Sequence, residues 1–140
     1  MSITPDAAAD ATIRVLVIDD SPDITDLFAR LISAQRGLAC VGTLHHAEDL
    51  AGHAARLRPH VIVLDLTMPG KDPLDAIAEL ERACPQVRVV GFSGYDSPRM
   101  ADAVLNAGGW GLISKHGEVA DVIEAIRDVA SGEVVVRRGV

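Results

Sequence analysis

Three acidic side chains, Asp19, Asp20 and Asp65, one hydroxyl, Ser93, and one ammonium, Lys115, each follow directly on an apolar run. Taken singly, each has an ordinary reading. Asp19-Asp20 suits a helix N-terminus, where the macrodipole favours negative charge. Asp65 and Ser93 suit turns after strands, and Lys115 suits an exposed surface. Taken together, they point to different chemistry. Three carboxylates brought to one point repel one another, and at least one pKa must rise. A hard divalent cation removes that conflict, and Mg²⁺ typically takes one or two carboxylates, several waters and a phosphate oxygen. Lys115 is one of only two lysines, the other being Lys71, against eleven arginines. A compact ammonium facing carboxylates is suited to holding a phosphoryl oxygen. Ser93 would donate to a second phosphoryl oxygen, and Gly94 beside it leaves room for the group.

Whether the five converge depends on the elements that carry them. Ile13–Ile18 is a β-branched apolar run closing on Asp19-Asp20, as expected of a strand buried on both faces of a parallel sheet. Ser21-Pro22 then reads as an N-cap followed by proline at the first helical position. Ile24, Leu27, Phe28, Leu31 and Ile32 recur at helical spacing behind it. The alternation continues with a strand over Leu38–Thr43, a helix over Ala47–Leu57 and a strand over Val61–Leu64 ending at Asp65. A helix over Leu74–Cys84 and a strand over Val87–Phe92 ending at Ser93 follow. A helix over Pro98–Ala107, a strand over Gly111–Ser114 ending at Lys115 and a helix over Glu118–Ser131 complete the series.

Strands alternating with helices imply right-handed crossovers and a parallel sheet covered on both faces. The expected fold is α/β and flavodoxin-like: five strands in the order 2-1-3-4-5 with five helices on both faces. In such sheets ligands bind at the carboxyl ends of the strands, where the strand order reverses. That is where all five polar residues fall. Residues 1–12 read as a flexible N-terminal tail, 13–132 as the one domain, and 133–140 as a C-terminal tail or the start of a linker.

Composition narrows the rest. The chain has 140 residues, 49% hydrophobic and only 3% aromatic, so Val, Ile, Leu and Ala must fill the core. Thirteen basic against twenty acidic residues leave a net charge of −7, which argues against direct nucleic-acid binding by this domain. No apolar run reaches the roughly 18 residues a bilayer span requires, and the start lacks the positive charge of a secretory signal. A cytoplasmic setting without membrane contact is therefore expected. Cys40 and Cys84 are far apart and read as small buried hydrophobes. The five histidines show no metal-ligand spacing and read as loop or surface residues.

The residues carry a resemblance. Val17-Ile18-Asp19-Asp20, Leu64-Asp65-Leu66-Thr67-Met68-Pro69-Gly70, Gly91-Phe92-Ser93-Gly94 and Ala107-Gly108 running to Lys115 stand in that order. In this the chain resembles the response-regulator receiver domains of two-component signalling. Among them it is closest to receivers that precede a LuxR/NarL-type helix-turn-helix. The resemblance runs from about Arg14 to Ser131 and implies a CheY-like fold. It implies that Asp65 is the phospho-acceptor, taking a phosphoryl group from a sensor histidine kinase or phosphotransfer protein. Ser93 and Lys115 would stabilise the phosphorylated state. Asp19, Asp20, Asp65 and the backbone carbonyl of Thr67 would hold Mg²⁺. It also implies a switching module rather than a turnover enzyme, with a homodimer formed through the fourth helix, fifth strand and fifth helix or through the first and fifth helices.

Three positions depart from the family pattern. Leu112 stands where an aromatic switch residue is usual, so its coupling to Ser93 is expected to be absent or rerouted through Trp110 or Tyr95. Lys115-His116 replaces the usual Lys-Pro, and Pro73 stands where glycine is common. A bulky Tyr95 two residues after Ser93 suggests slow self-hydrolysis of the phosphoryl group. Leu112 keeps open an alternative, a pseudo-receiver acting as a phosphorylation-independent interaction or dimerisation module. An aspartate-nucleophile phosphatase would want D-x-D on its first strand, whereas Asp65-Leu66-Thr67 follows the third.

Overall fold

The computed structural model describes residues 12–137, so the N-terminal tail reading up to residue 11 lies outside the described residues. The chain alternates strand and helix throughout. The elements are β1 (Ile13–Ile18), α1 (Pro22–Ser33), β2 (Leu38–Leu44), α2 (Leu50–Leu57), β3 (Val61–Asp65) and α3 (Pro73–Ala83), then β4 (Arg88–Ser93), α4 (Pro98–Ala107), β5 (Gly111–Ser114), α5 (Val119–Ala130) and β6 (Val135–Arg137). Every strand pairing is parallel, and the order is 2-1-3-4-5-6. The flavodoxin-like, doubly covered sheet expected from the sequence is present, with one strand added at its β5 edge.

Alternation along the strands divides the core into two layers. Val15, Val17, Val63, Val90, Phe92 and Ile113 face Phe28 and Ile32 of α1 and Val122, Ile126 and Val129 of α5. Leu16, Ile18, Ile62, Leu64 and Val89 face Leu50 and Ala54 of α2, Ile77 and Leu80 of α3, and Val104 of α4. The Phe28 and Phe92 rings meet edge-on at 5.2 Å, the one aromatic pair of the first layer.

Three helices start in the same way, with a side-chain cap followed by proline. Ser21 Oγ accepts from the Ile24 N–H, Asp72 Oδ1 from the Leu74 N–H, and Ser97 Oγ from the Met100 N–H. The caps fix where α1 and α4 begin, a few residues after β1 and β4, and where α3 begins after the longer loop from Asp65 to Asp72. Helix α5 starts at Val119 without a proline, and α2 starts at Leu50, three residues later than expected, after Asp49 in a left-handed conformation with φ 52°.

The described part of the segment expected as a C-terminal tail or the start of a linker, residues 133–137, returns to the sheet, and residues 138–140 lie outside the described residues. Gly132, with φ +101°, turns the chain after α5, and Val135–Arg137 pairs with Gly111–Ile113 as β6. Val135 is buried, and Arg137 reaches back to Asp128 at 3.0 Å and Glu124 at 3.8 Å on α5. Gly111 makes this approach feasible: a Cβ there would stand 2.1 Å from the Val135 carbonyl oxygen.

Candidate acidic phosphoryl site

The polar strand ends meet as the topology requires. β1 lies between β2 and β3, so Asp19 and Asp20 emerge beside Asp65 at the point where the strand order reverses. Asp19 and Asp65 are buried and Asp20 is exposed, with one carboxylate oxygen from each lying within 4.8 Å of the other two. Ser93, paired with Ser114 across the sheet, stands wholly buried at the end of β4. Lys115 follows β5, its backbone N–H donating to the Ser93 carbonyl at 2.9 Å. Its ammonium bridges the two buried acids, 3.2 Å from Asp65 Oδ1 and 3.4 Å from Asp19 Oδ2. It also lies 5.3 Å above the Phe92 ring, whose face favours a cation.

The two oxygens of Asp65 are treated differently. Oδ1 accepts from the Thr67 N–H at 2.9 Å and the Thr67 hydroxyl at 2.8 Å, besides facing Lys115. Oδ2 is buried with no hydrogen-bond partner among the described residues. Asp19 repeats the arrangement, since Oδ1 accepts from the Ser21 N–H at 2.9 Å while Oδ2 has only the ammonium nearby. Burying a carboxylate oxygen without a donor costs roughly 1–3 kcal/mol or more. Two such oxygens in one cluster, with a third carboxylate at the solvent face, suit a hard oxygen-seeking cation such as Mg²⁺. Burial pushes the Asp19 carboxyl above its ordinary range. The Ser21 N–H opposes that shift, the Asp65 charge adds to it, and Lys115 opposes it.

Ser93 Oγ accepts the Tyr95 N–H at 2.9 Å, so its own hydroxyl proton remains to be given. Tyr95 is 70% exposed. Leu112 is wholly buried on the face of the sheet that packs α2, α3 and α4. Trp110 stands at the amino end of β5, opposite to Lys115, under the Arg88 guanidinium at 4.3 Å. It is therefore no neighbour of Ser93. The Lys115–His116 peptide is trans. The Thr67 hydroxyl bond to Asp65 goes beyond the sequence reading of this residue, which is a backbone-carbonyl ligand. A threonine two residues after a strand-end aspartate is the signal that could have found it.

Four of the five histidines lie away from the strand ends just described. His45 contacts Thr25 Oγ1 at 3.1 Å, His46 contacts Glu48 at 3.3 Å, Arg56 points at His53, and the Arg14 N–H donates to His60. None of them joins the acidic cluster. Cys40 and Cys84 are free thiols, and burial raises the pKa of Cys40. No helix among the described residues is long and apolar enough to cross a membrane.

Comparison with known proteins agrees with this geometry. The response regulator receiver domain family matches residues 15–127. Response regulator GacA of Pseudomonas viridiflava is 32% identical over 121 residues, covering 86% of this chain and 56% of the relative. The virulence transcription regulator BvgA of Bordetella pertussis is 30% identical over 119 residues, covering 85% and 56%. This chain therefore spans about half the length of the curated regulators it matches. A LuxR-family two-component response regulator from Aurantimonas superposes with a TM-score of 0.81 at 26% identity, covering 92% of this chain and 89% of the other. The receiver domain of NarL from Mycobacterium tuberculosis superposes at 0.79 and 27%, covering 87% and 98%. Buried paired acids, a bridging lysine and a parallel sheet in this order thus occur in a sequence that one family matches over residues 15–127, and the chain belongs to the response-regulator receiver domains.

Proposed function

We propose that this receiver accepts a phosphoryl group on Asp65 from a phosphohistidine of a sensor kinase or phosphotransfer protein in the cytoplasm. An Asp65 carboxylate oxygen forms the new bond to phosphorus as the phosphorus–nitrogen bond breaks. The electron pair returns to the donor imidazole, which takes up a proton. The observation that carries this reading is the buried Asp65 carboxylate. One oxygen is held by Thr67 and Lys115, and the other lies among acids with no donor of its own. Such a group is fixed in position and electrostatically uncomfortable, and phosphoryl transfer depends mainly on positioning and charge neutralisation.

Lys115 and the free hydroxyl proton of Ser93 would hold two phosphoryl oxygens. Asp19, Asp20, Asp65 and the Thr67 carbonyl would hold Mg²⁺, which when bound neutralises the carboxylates and the phosphoryl oxygens. The added charge is satisfied only with Lys115 and Ser93 engaged, and that difference biases the surface around β5. Docking or dimerisation through α4, β5 and α5, or through α1 and α5, follows from it. The second surface has an apolar cleft between Leu27, Phe28, Val119 and Val122 that opens beside Lys115.

Incubation with Mg²⁺ and acetyl phosphate, followed by intact mass, tests the reading. Wild type gains one phosphoryl group and Asp65→Ala gains none. A wild type that gains nothing favours the phosphorylation-independent module, for which the buried Leu112 in place of an aromatic switch is the supporting observation.

A further inference from the structure

The turn after β5 holds a histidine whose ring has no partner among the described residues. Of the five histidines, His45, His46, His53 and His60 each have a ring nitrogen within 3.3 Å of a neighbour's polar group. His116 has none among the described residues. Its backbone is nevertheless fixed, because the His116 N–H donates to Ser114 Oγ at 2.9 Å. A proline here would lack that N–H, so the Lys-His pair itself supplies the bond that sets the turn. The ring is carried across to the loop after β4, where a Cβ built on Gly94 would stand 3.6 Å from His116 Nε2. Gly94 directly follows Ser93 and has no side chain to separate the imidazole from that loop. The same turn therefore presents Lys115 to Asp65 and His116 to the segment beside Ser93.

We propose that His116 is a further phosphoryl-contacting residue of this site, its Nε2–H donating a hydrogen bond to the group carried by Asp65. The inference rests on the phospho-acceptor reading and adds a third side-chain donor to it. An acyl phosphate brings three strong acceptor oxygens and close to two negative charges. Lys115 and Ser93 together supply two donors from one side. An imidazole has an N–H to give, and that of the exposed His116 beside Gly94 is given in exchange for solvent rather than for another protein contact.

Beryllofluoride in Mg²⁺ buffer is the probe, with the bound species followed by fluorine NMR for wild type, His116→Gln and His116→Leu. The side-chain amide of glutamine places a donor where Nε2 stands, whereas leucine keeps bulk without a donor. His116→Gln is expected to bind like wild type and His116→Leu about fivefold more weakly, the scale of one hydrogen bond. Equal affinity for His116→Leu and wild type overturns the proposal, as does a His116→Gln protein as weak as His116→Leu. A wild type that binds no beryllofluoride overturns the phospho-acceptor reading itself and this inference with it, a result distinct from either.

Discussion

At the scale of single residues, the site is built from groups that the fold holds at a cost. Asp19 is buried beside Asp65, its carboxyl pushed above the ordinary range chiefly by burial, with the Ser21 N–H opposing and the Asp65 charge adding. An acid whose folded pKa is raised favours the fold when neutral. Its contribution is fully present below the ordinary carboxylate range and is lost as pH rises through the raised value. Asp19→Asn removes that loss while keeping an oxygen to accept the Ser21 N–H. In metal-free buffer at neutral pH the variant should be more stable by roughly 1 kcal/mol, since relief of the burial penalty and of the Asp65 repulsion outweighs the lost contact with Lys115. The gap should close towards acid pH, where both proteins carry a neutral side chain. Melting curves across that range check it, and a variant melting below wild type at neutral pH would contradict the account.

At the scale of elements, β6 is the feature whose energetics are most exposed to test. Its pairing with β5 requires Gly111, since a Cβ there would collide with the Val135 carbonyl. Gly111→Ala should therefore displace β6 and cost about 2 kcal/mol, the scale of a forced overpacking. Denaturant unfolding measures the loss. A chain ending at Glu133 should show almost no further penalty from Gly111→Ala, because the colliding carbonyl is gone. This strand is also what the sequence conceals best. β1, β3 and β4 are readable because a strand buried on both faces is a continuous apolar run, and α1, α3 and α4 because each opens with a capping residue and proline. Val134-Val135-Val136 after Gly132 is too short to show a period, and only the sheet edge decides that it pairs. The start of α2 was misplaced for a related reason. Ala47 is buried like a helix residue, but the left-handed Asp49 delays the helix to Leu50. Within the site, strand-end acids, serine and lysine are legible because topology sends strand ends to one place. The Thr67 hydroxyl bond and the orientation of His116 depend on loop geometry, which no periodicity encodes.

At the scale of the whole molecule, stability and function lie at different places. Both apolar layers are filled mainly by aliphatic side chains, with Phe28 and Phe92 in the first, and hold the sheet from either face, while the buried like charges are gathered at its carboxyl edge. Asp19 Oδ2 and Asp65 Oδ2 have no hydrogen-bond partner among the described residues, and Lys115 is the cation that faces both acids. A ligand that binds only the folded arrangement stabilises it by mass action, by about 2.7 kcal/mol at a hundred times its dissociation constant. Mg²⁺ should therefore raise the melting temperature of this domain by several degrees, at constant ionic strength set with NaCl. The rise should be lost in Asp65→Asn and in Asp19→Asn, because each removes a charged oxygen from the cluster while the apolar layers stay intact. Metal-free Asp65→Asn should melt no lower than metal-free wild type, since relief of acid–acid repulsion offsets the weakened contact with Lys115. A magnesium-dependent rise that survives both substitutions would place the cation elsewhere and detach it from the acidic cluster.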